Sequence, residues 1–215
     1  MSETKGAALL AYIRGLPTFE VREDLDYGDY DHVGATLIAI VLQAGLNWKT
    51  TVKPRVETFK QQFPEANTVS GFLIFLEDKN LAAVLRWSNR VKPDRIVRLA
   101  NFLKANGVET ESDLSIWLSV EENGQKLLTL NGVKEKSVDF AKMCLRVQTN
   151  APDRHLINFL AQAGIKTSNY NECRSIINET ADLMELDRIS LDFSIWSYMS
   201  NGERKKAAPI CRRSS

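Results

Sequence analysis

The chain has 215 residues and a mass of 24.3 kDa, enough for one domain or two small intertwined halves with a core that needs neither disulfides nor metal. Its 28 basic residues stand against 27 acidic ones, a net charge of +1, so bulk charge gives no argument for nucleic-acid binding. The 44% hydrophobic and 26% charged residues are a globular composition, and no apolar run of about 18 residues is present to span a membrane.

The N-terminal stretch MSETKGAALLAYIRGLP has too short an apolar part for a secretory leader and lacks a small-residue cleavage site, so a cytoplasmic or nucleoid protein is expected. From there on, apolar residues recur with helical period, and no alternating run bounded by hairpin turns is found. The sequence therefore predicts an all-α fold. Its helices fall at about 5–14, 33–45, 49–63, 67–76, 79–87, 93–106, 112–119, 123–130, 134–148, 153–163, 169–184 and 190–200. Turn signals separate them: Gly15 to Pro17, Lys92 ahead of Pro93, Asn106-Gly107, Asn131-Gly132 and Ala163-Gly164. Ser112 and Asp153 are placed to cap the helices that follow them. The stretch from Phe19 to Asp31 is acidic. The C-terminal tail from about residue 203 is basic, has no apolar periodicity and is expected to fray. Cys144, Cys173 and Cys211 are scattered, and His32 and His155 are the only histidines, so neither a disulfide framework nor a zinc site is expected.

The stretch from Leu127 to Leu160 carries the chemistry. Leu127, Leu128 and Leu130 close one helix, Asn131-Gly132-Val133 forms a tight turn, and a second helix starts near Lys134. Backbone N–H groups at such a helix start, with the helix dipole, suit a phosphate, and Lys134, Lys136 and Lys142 add positive charge nearby. Asp153 follows Pro152 at the start of the next helix, where N–H groups and the dipole suit a carboxylate.

This pattern, LxxLxGVxxK followed by a proline-aspartate step, resembles the helix-hairpin-helix DNA glycosylase superfamily, the endonuclease III-like group. The resemblance covers about residues 33 to 200. It implies a two-lobed all-α fold with the active site in the cleft between the lobes. A central bundle of residues 32–148 would end in the hairpin, and residues 1–31 with 149–215 would form the second lobe. Carried over residue by residue, Gly132 and Val133 match the hairpin, Lys136 the catalytic lysine and Asp153 the catalytic aspartate. His155 matches a histidine common just after that aspartate, and Lys134 lies in the DNA-gripping turn. Asn131 stands where the family often has proline, and Lys134 where it often has glycine.

Upstream, TLIAIVLQAGLNW resembles the segment whose glutamine fills the gap left by an extruded base, which assigns Gln43 to that role. The same stretch resembles bacterial 3-methyladenine glycosylase I. Trp87, in LRWSNRVKPDR, is then a second wedge candidate, and Trp48 and His155 are candidates for the base pocket. The arginines and lysines Arg90, Lys92, Arg95 and Arg98 read mainly as a mixed helix face.

The resemblance implies base excision on double-stranded DNA containing a damaged base, carried out by a monomer with no membrane association. The base would be flipped out and its N-glycosidic bond cleaved, with Lys136 forming a Schiff base that leads to strand nicking. No iron–sulfur cluster is expected, because the cysteines cannot supply the family's set of four. A monovalent cation at the hairpin carbonyls is a further implication. Two alternatives stand beside this: a monofunctional glycosylase for alkylated bases, and a helix-hairpin-helix module that binds DNA without chemistry.

Overall fold

A computed structural model describes residues 4–207; Cys211 and the last part of the basic tail lie outside the described residues. Among the described residues every regular element is helical. In chain order these are α1 (Lys5–Arg14), α2 (Val33–Leu42), a π turn (Trp48–Val52), α3 (Lys53–Gln62), a 3₁₀ turn (Pro64–Asn67), α4 (Val69–Asp78), α5 (Leu81–Val84), α6 (Val91–Ala105), α7 (Glu111–Ser119), α8 (Glu121–Leu127), α9 (Glu135–Cys144), α10 (Arg154–Gln162), α11 (Tyr170–Leu183) and α12 (Arg188–Ala207). Among them none is long and apolar enough to cross a membrane.

The chain divides into two compact units. One runs from Asp26 to Val147. The other joins the N-terminal stretch up to Leu25 to the stretch from Gln148 onward. The first boundary falls ahead of residue 32 because the loop after Leu25 is tied to the end of α9. The Tyr27 ring lies 5.4 Å from Phe140, Asp29 N–H donates to Cys144 O at 3.0 Å, and Arg146 Nε donates to Asp29 Oδ2 at 2.5 Å.

The unit from Asp26 to Val147 is built around α2, whose ten residues are all buried. A helix apolar on every side is stable only when other helices surround it. Here α3, α4, α6 and α9 do so. Gly34 allows the closest approach, since a Cβ there would fall 2.8 Å from both Phe59 and Phe72. The start of α2 is capped by His32: Nδ1 accepts the Ala35 N–H at 3.2 Å while Nε2 meets Phe63 O at 2.9 Å. Both bonds require the tautomer that carries its proton on Nε2.

Among the described residues the other unit packs four helices. Leu9 and Ile13 of α1, Phe159 and Leu160 of α10, Ile176 and Ile177 of α11, and Leu191 and Ile195 of α12 share one apolar cluster. Lys5 Nζ and Glu172 pair across α1 and α11 at 2.5 Å.

Several boundaries differ from the sequence reading, each for a local reason. α2 stops at Leu42 because Gly45 turns the chain at φ +75°. The expected helix 49–63 is a π turn running into α3, because Pro54 has no N–H for the i−4 bond. α5 is a single turn that ends before Arg86, at φ +49°. α6 begins at Val91, since Pro93 falls in its first turn, where proline is tolerated. α7 is capped by Thr110 in a reciprocal box with Asp113, and Ser112 lies inside the helix. α9 ends at Cys144, ahead of Arg146 at φ +59°. α12 continues through 203–207, which were expected to fray.

Candidate functional site

The hairpin forms from α8, a short turn and α9. Gly132 sits at φ +85°, a left-handed conformation that favours glycine, and Val133 N–H donates to Leu130 O at 3.0 Å to close the turn. Val133 is buried and anchors the turn to the core of its unit. Lys134 is the N-cap of α9, exposed, with no side-chain capping bond. Lys136 follows in the first turn of the helix and is half-buried.

Lys142 does not join them. It is 7% exposed, and its Nζ donates to Glu121 Oε2 at 2.7 Å. Its charge is not at the phosphate-binding turn, where the sequence suggests it: the side chain runs inward and ties α9 back to α8.

Arg95, one of the basic residues of the mixed face of α6, has its guanidinium against Gly132, where an added Cβ would clash with it. Arg95 Nε is buried and has no hydrogen-bond partner among the described residues. A monovalent cation at this turn would lie beside that guanidinium, so the residues present fit it poorly.

Gln43 is the C-cap of α2. Its side chain is half-buried and held by a long 3.5 Å bond from Nε2 to Ile40 O. Its backbone neighbours are held more firmly. Lys92 Nζ donates to Val41 O at 3.1 Å, Leu42 O at 3.4 Å and Ala44 O at 2.7 Å. Burial and the nearby Arg95 charge lower the Lys92 pKa. Lys92 and Arg95 are three residues apart, so they share a face of α6; that spacing was the signal available in the sequence.

Trp48 opens the π turn. Its ring lies 5.9 Å from both Tyr27 and Phe140, edge-on in each case, and its indole N–H is buried without a hydrogen-bond partner among the described residues. Trp87 packs against the same core, and the Arg55 guanidinium lies 5.4 Å from its ring centroid. Arg55 is held there by bonds to Leu85 O at 2.9 Å and Thr51 O at 2.8 Å. With one face taken in this way, Trp87 fixes its loop as much as it offers a wedge.

Asp153 and His155 lie in the other unit, at the start of α10. Asp153 Oδ1 accepts the N–H of His155 at 2.7 Å and of Leu156 at 3.3 Å. His155 is buried at 6% exposure and meets Trp196 edge-on at 6.4 Å. Cys173 is buried in the same unit; burial, then the Asp192 and Asp153 charges, push its thiol up to about 12, which makes it an inert thiol.

The family described as a domain of unknown function, DUF8548, matches residues 30–200. The chain belongs to that family. No curated protein matches the sequence. The DUF8548 match takes in every candidate residue, from Gln43 and Trp48 through Trp87 and the Gly132 turn to Asp153 and His155.

Proposed function

We propose that this DUF8548 chain is a DNA base-excision glycosylase with the two-lobed helix-hairpin-helix fold, acting on duplex DNA that contains a damaged base. The observation that supports this most is the Gly132 turn at φ +85° between α8 and α9, with Lys134 exposed at the helix start and Lys136 in its first turn. Helix N-terminal N–H groups bind phosphate oxygens, and an exposed lysine beside them adds charge.

In this reading the target nucleotide leaves the stack and Gln43 fills the gap. Departure of the base builds positive charge on the sugar. The Asp153 carboxylate, held through Oδ1 on the α10 N–H groups, stabilises that charge. The Lys136 amine, neutral when it acts, attacks C1′ as the C1′–base bond breaks, and the base leaves with one amine proton. The C1′–O4′ bond then opens, O4′ taking the second proton, to give a Schiff base at C1′. Loss of the C2′ proton then expels the 3′-phosphate and nicks the strand. Oxidised bases are the substrate class the Lys136 match favours.

A second reading rests on Trp48 with Tyr27 and Phe140. An aromatic cluster next to the Gln43 loop suits a cationic alkylated base. In that case Asp153 activates water and Lys136 is a bystander.

The test is release of base from duplexes each carrying one lesion: thymine glycol, 8-oxoguanine, uracil or 3-methyladenine. Release of an oxidised base with nicking supports the first reading. Release of 3-methyladenine without nicking supports the second. Salt-dependent duplex affinity with no release from any lesion contradicts both and leaves a binding module.

A further inference from the structure

We infer that Lys92 is a positioning residue for Gln43; this rests on the reading above, in which Gln43 fills the gap left by the flipped base. The last carbonyls of a helix have no partner inside it and carry the negative end of its dipole. At the end of α2, Lys92 Nζ takes Val41 O, Leu42 O and Ala44 O, the residues on both sides of Gln43. The backbone is further held by Gln43 N–H donating to Ala39 O at 3.0 Å. Among the described residues the Gln43 side chain has only its 3.5 Å bond to Ile40 O. Beyond it, Gly45 has nothing within 4 Å of where a Cβ would lie, so the loop faces open space.

A fixed backbone and a loosely held side chain are what an inserting residue needs. The loop must stay in register while the amide swings into the stack. Lys92 reaches it from the first turn of α6, on the same face as Arg95, which lies against Gly132. A plain C-cap would raise stability and nothing more. A positioning residue changes base extrusion, and does so only while Gln43 is present.

The experiment uses the full chain and a duplex with a tetrahydrofuran abasic analogue flanked by 2-aminopurine, whose fluorescence rises on unstacking. Affinity and fluorescence are measured for wild type, Lys92→Met, Gln43→Ala and the double variant. The expected result is a loss of affinity of about tenfold in each single variant, a reduced fluorescence rise, and a double variant no worse than Gln43→Ala. Lys92→Arg, which keeps the donors, should restore most of the signal. If Lys92→Met does not fold, Lys92→Gln replaces it under the same criterion. Losses that multiply in the double variant, or full extrusion by folded Lys92→Met, overturn the assignment. A wild type with neither affinity nor fluorescence change overturns the glycosylase reading and this role with it.

Discussion

Asp153 Oδ1 accepts the backbone N–H of His155 at 2.7 Å, so one carboxylate both caps α10 and stands as the proposed electrostatic group. The two jobs separate by substitution. Asparagine caps as well as aspartate but carries no charge, whereas alanine loses both. Asp153→Asn should keep the wild-type melting temperature and lose base release by about 10²-fold or more. Asp153→Ala should lose the same activity and about 1 kcal/mol of stability. Thermal melts beside single-turnover base release check this. Release that survives in Asp153→Asn contradicts the role.

Lys134 and Lys142 lie on the same hairpin but face opposite ways. Lys134 is exposed at the N-cap of α9, while Lys142 is buried against Glu121. Lys134→Ala should reduce the slope of log affinity against log salt by about one and leave stability unchanged. Lys142→Ala should leave that slope unchanged and cost about 1–2 kcal/mol, as a buried stem and a charged hydrogen bond are lost. Duplex titrations at several salt concentrations, with melts, separate the two.

Much of the helical order was legible because each helix carries its own 3.6-residue period and local stops. Gly132 and Asp153 were legible too, since a left-handed turn and a helix cap depend on a few adjacent residues. What escaped depends on residues distant in the chain. The His32 cap needs Phe63, the inward turn of Lys142 needs Glu121, and the Lys92 clamp needs the carbonyls around Gln43. A lysine on a helix reads as solvated until its neighbours are known. The π turn at Trp48 escaped because its cause, Pro54, lies one turn into what reads as a continuous helix.

Glu172 adds a small pH-dependent contribution to the unit that holds Asp153. A hydrogen bond from Lys5, then bonds from the Ser168 side chain and backbone, bring its pKa from 4.5 down to about 2. A lowered carboxylate pKa adds stability that is fully present above the unfolded value and is lost as pH falls through the folded one. The contribution should therefore hold above about pH 4.5 and vanish towards pH 2. Melting temperatures of wild type and Glu172→Gln should differ at neutral pH and converge across that window. A constant gap down to pH 2 contradicts the assignment.

The central claim concerns Lys136, and borohydride trapping tests it most directly. Wild type and Lys136→Ala are incubated with single-lesion duplexes and with a natural abasic site, then reduced. A Schiff base becomes a stable protein–DNA adduct on reduction. The account predicts an adduct with wild type on an oxidised base and on the abasic site, absent from a folded Lys136→Ala. An adduct that persists in Lys136→Ala, or base release by wild type that leaves no adduct on any duplex, contradicts it.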